Sequence, residues 1–464
     1  MVSITKWKTK KNMSWTLIII FALRFLGIGA NKSKSNARLS LLGAAFGIGI
    51  SIIPLVVVLV VSDGMVKGIA ERTVELGTGQ AQIIDMEPSS YFENCENEFY
   101  LKEKIKQKIK NPYFLNAWVQ REGEAILVGK NGRRGGVVKA VESDFFTKNI
   151  KANSLIKIIE GKPKLENESS IILGEKIAEK LGLSVGDICR LITLKESAKD
   201  GKTKPKISTF KVEAIISSGY QELDGLWIFI SLKKGITLLS KASSIDSILL
   251  STKDPFDEFN FSSLLKEIEN KILLLEEIPS TFSIYTWQDL NKALFYSFAT
   301  TKNLILFIVF LITLVASINI SHALIMLVME RRGEIAILKA TGAPTIFITL
   351  SFLLSGFITS FLGLSIGIPL GILISVNINT ILNFFEKIIN WGYYYAFFIF
   401  GIVEEYSQIH LLDPAYYLEN IPIELNINEL YFISFITLLL SLLVSIIPAI
   451  KAGREKPIEI MRKI

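Results

Sequence analysis

The sequence predicts a membrane protein with four transmembrane α-helices and a large α+β extracytoplasmic domain between spans 1 and 2. Half of the 464 residues are apolar, the mean hydropathy is +0.41, and the apolar residues are concentrated in four blocks long enough to cross a bilayer. Between the first two blocks lies a long stretch of ordinary globular composition, which can bury a core of its own. The predicted segments are an N-terminal cytoplasmic or interfacial segment at residues 1–38, span 1 at 39–63, the extracytoplasmic domain at 64–298, span 2 at 299–328, a cytoplasmic coupling helix at 329–345, span 3 at 346–377, an outward-facing loop at 378–428, span 4 at 429–449 and a cytoplasmic tail at 450–464.

The distribution of charge predicts which side of the membrane each segment faces. No acidic residue precedes Asp63, whereas eight lysines and arginines do, and the tail after span 4 is also rich in basic residues. The charged residues of the loop between spans 3 and 4 are mostly acidic. Because basic residues accumulate on the cytoplasmic side, we expect both termini there and the large domain outside. This anchoring explains the net charge of +7, which carries no nucleic-acid signal.

A shorter apolar run at residues 15–29 has Arg24 near its centre. It is short for a span, so the sequence predicts a helix that lies in the inner membrane interface.

The segment ERRGEIAILKATGAP, residues 330–344, lies between spans 2 and 3. Its basic residues place it on the cytoplasmic side, and its apolar residues recur at helical spacing until Gly342 and Pro344 mark a stop. A short, charged, amphipathic helix between two spans is typical of a docking element for a cytoplasmic motor. The residues predicted to form this coupling surface are Glu330, Arg331, Arg332, Glu334, Ile335, Leu338 and Gly342.

The extracytoplasmic domain mixes strand and helix patterns. A lysine-rich segment at residues 195–208 joins two predicted strands and is expected to project as a hairpin. It is either a solvated tip or an arm that captures a partner. The residues of this arm are Lys195, Lys199, Lys202, Lys204, Pro205 and Lys206. The predicted strands are residues 80–84, 124–128, 189–194, 209–217 and 226–231, and the predicted helices are residues 101–109, 174–181, 232–239 and 259–274.

The central turns of the spans carry no acidic or basic residue. Ion pathways need such groups, so ion-coupled transport is disfavoured, and an apolar lining suits an apolar cargo. The predicted cargo lining is Phe46, Ile50, Pro54, Val57, Ile308 and Ile312.

Small residues recur at four-residue steps in two spans, which predicts close helix packing, either within the subunit or between subunits. These residues are Gly43, Gly47 and Ser51 in span 1 and Gly363, Gly367 and Gly371 in span 3. The aromatic run at residues 391–400 is too short to cross the bilayer and predicts an interfacial segment at the outer leaflet.

The chain carries no signature of catalysis or of metal binding. The patterns GxxxxGK[ST], HExxH and GxSxG are absent, and there are only two histidines. We therefore expect no catalytic residue, no metal site and no cofactor bound by this chain. Cys95 and Cys189 both fall in the extracytoplasmic domain, where they either pair or remain isolated thiols.

The segment ERRGEIAILKATGA resembles the coupling segment of FtsX/MacB-type permeases. Within that superfamily the chain is similar to the LolC/LolE permease subunits of the lipoprotein-releasing ABC transporter. The similarity covers most of the chain from residue 18 onward. It is carried by the ordered segments ALRFLGIGANKSKSNARLSLLGAAFGIGIS, IILGEKIAEKLGLSVGD, SGYQELDGLWIFISL, TWQDLNKALF and PAIKAGREKPIEIMR.

The resemblance implies a complex of two such permeases with a cytoplasmic ABC ATPase dimer in the bacterial inner membrane. This complex would extract lipoproteins from the outer leaflet and pass them to a periplasmic carrier. ATP and Mg would be bound by the ATPase, and the arm at residues 195–208 would match the carrier-binding hook. The same architecture leaves open a MacB-like exporter or an FtsX-like regulator of wall hydrolases. A membrane receptor with no transport is an alternative from a different class.

Overall fold

The structure is a computed structural model that describes residues 15–25, 36–85, 96–196, 203–240, 243–273, 282–400, 409, 411, 418 and 420–455. The chain divides into two compact units. The membrane unit comprises Met1–Gly64, Ala299–Phe385 and Pro422–Ile464, and the external unit comprises Met65–Phe298 and Glu386–Ile421.

The secondary structure elements follow in chain order. They are α1 (Trp15–Phe25), α2 (Asn36–Arg72), a π-helical segment (Thr73–Thr78), β1 (Ala81–Asp85), α3 (Glu96–Lys108), β2 (Phe114–Gly129), β3 (Gly132–Val141), α4 (Phe145–Lys148), α5 (Ile150–Leu155), β4 (Lys157–Gly161), β5 (Ser170–Gly174), α6 (Glu175–Leu181), β6 (Ile188–Glu196), β7 (Thr203–Ser217), α7 (Gln221–Asp224), β8 (Trp227–Ser231), α8 (Leu232–Leu238), β9 (Ser244–Thr252), α9 (Glu258–Ile268), a second π-helical segment (Glu269–Leu273), β10 (Phe282–Thr286), α10 (Trp287–Leu290), α11 (Lys292–Glu330), α12 (Arg332–Ala340), α13 (Thr345–Val376), α14 (Ile378–Phe400) and α15 (Ile427–Arg454).

Four helices among the described residues are long and apolar enough to cross a membrane, which confirms the predicted fold class. They are α2 with its π-helical continuation (Leu42–Thr78), α11, α13 and α15. The helices are longer than the apolar blocks because polar turns extend them at one or both ends. The segment predicted as a loop at residues 378–428 begins instead with the 23-residue helix α14.

Helix α13 packs against α2 through glycines. A Cβ atom added to Gly367 would lie 2.7 Å from the carbonyl oxygen of Gly49, and one added to Gly363 would lie 2.7 Å from that of Ala45. The predicted small-residue face of span 3 is therefore used inside the subunit. The predicted face of span 1 is not used for packing within the subunit, because a Cβ on Gly43 or Gly47 would meet nothing within 4 Å; its use between subunits stays a prediction.

Helix α1 packs on α13 in the same group of helices. Its Ile18 and Ala22 are buried, the rings of Phe21 and Phe347 meet edge to face at 5.4 Å, and the hydroxyl of Ser355 donates to the carbonyl of Ala22 at 3.3 Å. One face of this short helix thus belongs to the core of the membrane unit.

The external unit is built on one ten-stranded mixed sheet of described strands, in the order β10-β1-β9-β2-β3-β8-β5-β7-β4, with β6 pairing with β2 and β7. The β3–β8 and β5–β7 pairs are parallel, and the other pairs are antiparallel. All five predicted strands and all four predicted helices are confirmed in position. The mixture of strand and helix confirms the predicted α+β domain.

Charged side chains are buried within this sheet. Arg121, only 1% exposed, forms two hydrogen bonds of 2.5 and 2.6 Å to the carboxylate of Asp246. Lys139, 2% exposed, donates to Glu122 at 2.8 Å and to the carbonyl of Gly77 at 2.7 Å. A charge in a low-dielectric interior is tolerated only when it is paired in this way.

Candidate coupling helix, apolar faces and binding hairpin

The coupling segment folds as the short helix α12, held on the membrane unit by its apolar side. Ile335 and Ala336 are buried at 0% and 1% exposure, and Leu338 packs against the same core. After the helix, Gly342 adopts a positive φ of 96°, which glycine tolerates without steric cost. Two predicted coupling residues, Ile335 and Leu338, therefore hold the helix in place with their side chains directed into the bundle.

Two basic residues of this segment are tied to the end of α15. The guanidinium of Arg332 lies 3.0 Å from the Glu455 carboxylate, and Lys339 donates to the Glu455 carbonyl at 2.7 Å. Arg331 pairs with Glu334 one turn along. Arg332 and Lys339 thus attach the helix to Glu455, and the charges of Arg331 and Arg332 are matched by carboxylates within the subunit.

The outward face of α12 contains a residue that the sequence reading missed. Glu334 has a half-exposed side chain, Ile337 is 61% exposed and Thr341 is exposed. These positions follow spacings of three and four, so they lie on one face of the helix. Glu330, at the end of α11, is also exposed. An exposed isoleucine flanked by a carboxylate is a suitable anchor for a protein partner.

The predicted cargo-lining residues are exposed apolar side chains in this chain. Phe46 is 59% exposed, Ile50 52%, Ile308 54% and Ile312 40%. Pro54 is exposed and Val57 is half-buried.

The structure does not bring the α2 and α11 sets together within one chain. Leu55 and Leu59 of α2 belong to the cluster that contains Val309 of α11. At about 100° per residue, Leu55 and Leu59 lie on the side of α2 opposite to Phe46 and Ile50. The two predicted faces are therefore separate apolar surfaces of the subunit.

An ion triad connects three spans at one end of the membrane unit. The ammonium of Lys302, on α11, lies 2.9 Å from the carboxylate of Asp63 on α2, and it also contacts the carboxylate of Glu429 on α15. The three residues are distant in sequence, so no local pattern could have revealed the triad.

The strands that flank the tip of the predicted arm, β6 and β7, pair as an antiparallel hairpin up to residues 196 and 203, which confirms the expected pairing of the two strands. In its register Glu196 is opposite Thr203, Lys195 is opposite Lys204 and Leu194 is opposite Pro205. Lys199 and Lys202 lie outside the described residues, as does the side chain of Lys195. Lys206 donates to the carbonyl of Thr237 at 2.8 Å, so this lysine is directed towards the body of the domain.

One face of the hairpin is apolar and exposed. Leu194 is 57% exposed and Ile207 60%. Ile192 lies opposite Ile207, and Ile126 of β2 pairs with Ile192 on the other side. The alternate residues face inward: Leu191 and Phe210 are among the residues buried in the core. The alternation in CRLITL was the signal for this surface, since its second set of apolar residues must point outward.

Cys189 lies at the start of this hairpin and is buried. Burial raises the pKa of its thiol to about 12, so the group is neutral at physiological pH. Cys95 lies outside the described residues, so the question whether the two cysteines pair stays open. Among the residues that the structure describes, no group of three or more His, Cys, Asp or Glu side chains is placed to hold a metal ion.

Two known protein families match long stretches of this chain. Residues 306–403 match the FtsX-like permease C-terminal family, and residues 41–268 match the MacB-like periplasmic core domain. The lipoprotein-releasing system transmembrane protein LolC of Neisseria meningitidis serogroup B is 22% identical over 421 residues, covering 90% of this chain and 92% of that protein. LolE of Haemophilus influenzae is 24% identical over 431 residues, covering 92% and 94%. Among solved structures, the periplasmic region of MacB from Actinobacillus actinomycetemcomitans aligns with a TM-score of 0.28 and 15% identity, over 47% of this chain and 93% of that one.

The chain is thus a multi-pass membrane permease with an FtsX-like C-terminal region and a MacB-like periplasmic core domain. Its similarity to LolC and LolE extends over nearly the whole length of both chains. These two relatives are transmembrane proteins of lipoprotein-releasing systems.

Proposed function

We propose that this chain is the permease subunit of an ATP-driven transporter that extracts lipoproteins from the outer leaflet of the bacterial inner membrane and hands them to a periplasmic carrier. Its partners are a cytoplasmic ABC ATPase dimer, a second LolC/LolE-type permease, lipoproteins, the carrier and membrane lipids. ATP and Mg are bound by the ATPase, and both termini of this non-catalytic chain face the cytoplasm. The observation that carries the proposal is the full-length similarity to LolC and LolE.

The exposed faces of α2 and α11 support an acyl cargo. Each buried CH₂ group contributes about 0.8 kcal/mol, so a sixteen-carbon chain resists leaving the bilayer by roughly 12 kcal/mol. Extraction therefore needs an apolar surface and a source of energy. Because the two faces lie apart within one chain, we place the cargo between α2 of one permease and α11 of its neighbour.

A photo-crosslinking experiment tests this assignment. We expect crosslinkers at Phe46 and Ile50 of α2, and at Ile308 of α11, to capture lipoprotein in the assembled complex. Phe435 of α15, which is 65% exposed, is the matched control because it is equally accessible but lies on span 4. Capture from Phe435 alone would contradict the proposed lining.

The coupling role of α12 is tested with a charge reversal. We expect Glu334→Lys to uncouple ATP hydrolysis from lipoprotein release. The change removes one i,i+3 ion pair with Arg331, which is worth only about 0.2–0.5 kcal/mol, so the protein should still fold. Glu103→Lys, at an exposed position of α3 in the external unit, is the control. Normal coupling in the Glu334→Lys protein would refute the role.

The hairpin is the proposed recruitment site for the carrier. Its exposed apolar face supplies contact area, and lysines at its end supply a positive field that accelerates binding of an acidic partner. We replace residues 197–202 with a Gly-Ser turn, which leaves β6, β7 and their register intact. Extraction from the membrane should persist while transfer to the soluble carrier fails. If transfer is normal, the lysine-rich tip at residues 197–202 is a solvated turn with no part in recruitment.

A further inference from the structure

The helix α14 has two unlike faces. Phe384, Ile388, Trp391 and Tyr395 follow spacings of four, three and four, so they form one stripe along the helix. They are 59%, 47%, 65% and 44% exposed, respectively. We call these four residues the aromatic stripe. The rings of Trp391 and Tyr395 contact each other edge to face at 4.8 Å, so these two side chains form one aromatic surface.

The opposite side of α14 is polar and holds another part of the chain. Asn383, Glu386 and Asn390 follow spacings of three and four on the far side of the helix. The side-chain amide of Asn390 donates to the carbonyl of Ile409 at 2.9 Å and accepts from its backbone N–H at 2.8 Å. The carboxylate of Glu386 accepts from the backbone N–H of Leu411 at 2.9 Å. The returning chain is thus fastened to the polar side, which leaves the aromatic stripe facing away from it.

Chain connectivity attaches the segment that contains α14 to one surface of the membrane. Only Asn377 separates α13, a membrane-spanning helix, from α14. A 32-residue helix is about 48 Å long, which exceeds the hydrocarbon layer of about 30 Å, so α13 ends at the polar surface of the bilayer. The chain re-enters the membrane at α15. Both ends of the segment that contains α14 are therefore attached to spans at one membrane surface.

We propose that α14 is a membrane-surface helix that inserts its aromatic stripe into the headgroup–acyl boundary of the outer leaflet. Tryptophan and tyrosine suit this boundary because their rings are apolar and their N–H and O–H groups reach polar partners. The helix carries only the pair Glu386 and Lys387 as charges, so its binding depends on apolar contact and requires no anionic lipid. This assignment concerns the whole helix and is independent of the proposed lipoprotein cargo.

Fluorescence quenching distinguishes lipid from water and from protein as the surroundings of the stripe. The full-length chain, with Cys95→Ser and Cys189→Ala, receives one cysteine through Trp391→Cys or Ile388→Cys, and each is labelled with bimane. Asn383→Cys, on the polar side of the same helix, is the matched control. The proteins are reconstituted into phosphatidylcholine vesicles that contain lipids spin-labelled near the glycerol end of the acyl chain.

We expect the spin-labelled lipid to quench bimane at residues 388 and 391 several-fold more strongly than at residue 383, and soluble iodide to show the reverse order. Strong quenching of residues 388 and 391 by iodide would show that the stripe faces water and would overturn the proposal. Resistance to both quenchers would show that the stripe is covered by protein, such as a second permease, and would overturn it equally. Two labelled positions guard against one substitution that disturbs the fold.

Discussion

Replacing Ile337 with alanine should weaken binding of the ATPase to the permease. The side chain lies on the outward face of α12 and is 61% exposed, so that fraction of its surface remains available to a partner. The substitution removes three carbon atoms worth about 0.8 kcal/mol each when buried, and scaling by the exposed fraction gives roughly 1.5 kcal/mol. This corresponds to an affinity about tenfold lower.

The assay is equilibrium binding of the purified ATPase to the permease complex in detergent, together with lipoprotein-dependent ATP hydrolysis. The control is Ile150→Ala, since Ile150 is 82% exposed but lies in the external unit. Ile335→Ala should behave differently, because Ile335 is fully buried and its truncation should destabilise the protein by about 2–5 kcal/mol. An Ile337→Ala affinity within twofold of the unaltered protein would refute the docking surface, as would an equal loss for Ile150→Ala.

Three further predictions concern stability and reactivity. Asp246→Asn leaves the guanidinium of Arg121 buried without its counter-charge, so denaturant titration should show a loss of about 3–5 kcal/mol in the external unit; a loss under 1 kcal/mol would contradict this. Lys302→Met leaves the carboxylates of Asp63 and Glu429 facing each other. Because Lys302 is partly exposed, we expect a smaller loss of stability, about 1–3 kcal/mol. The loss should appear as a lower Tm in detergent, and Lys302→Arg should partly restore the Tm. Burial raises the pKa of Cys189 to about 12, so in a Cys95→Ser background its labelling by maleimide at pH 8 should be slow in the folded protein and fast in denaturant; rapid labelling of the folded protein would show an accessible thiolate.

Local pattern was sufficient for the main architecture. The apolar blocks of the spans are long enough to cross a bilayer. Alternation of residues between two faces, together with β-branched residues, marked β6 and β7 as strands. The start of β3, a strand that escaped prediction, lacks these features. β3 begins GRRGG, where glycine and arginine obscure alternation, and it is a strand because β2 and β8 pair with it on both sides.

The helix α14 shows a periodicity that was present in the sequence but overlooked. Asparagines at residues 379, 383 and 390 resemble a loop when read by composition, yet with Glu386 they follow the spacing of one helical face. For α12, the sequence showed an amphipathic helix without showing which apolar residue packs inward. Burial of Ile335 and exposure of Ile337 depend on the position of the bundle, which is a tertiary property.

Contacts between distant residues could not be predicted. Lys302 meets Asp63 across 239 positions of sequence, and both stand at ends of spans where single charges are common. The faces of α2 and α11 were likewise identified as apolar, but their separation on the subunit depends on which residues of α2 contact α11, and that was set by Leu55 and Leu59.

The proposed lipoprotein release can be measured by reconstituting this chain with its second permease and its ATPase in vesicles that contain a fluorescent triacylated lipoprotein. On addition of ATP and a soluble periplasmic carrier, the lipoprotein should leave the vesicles in a complex with the carrier. Release should stop when this permease is omitted or when ATP is replaced by a non-hydrolysable analogue. Lipoprotein that stays in the membrane under complete conditions, or that leaves equally well without this chain, would refute the proposed function.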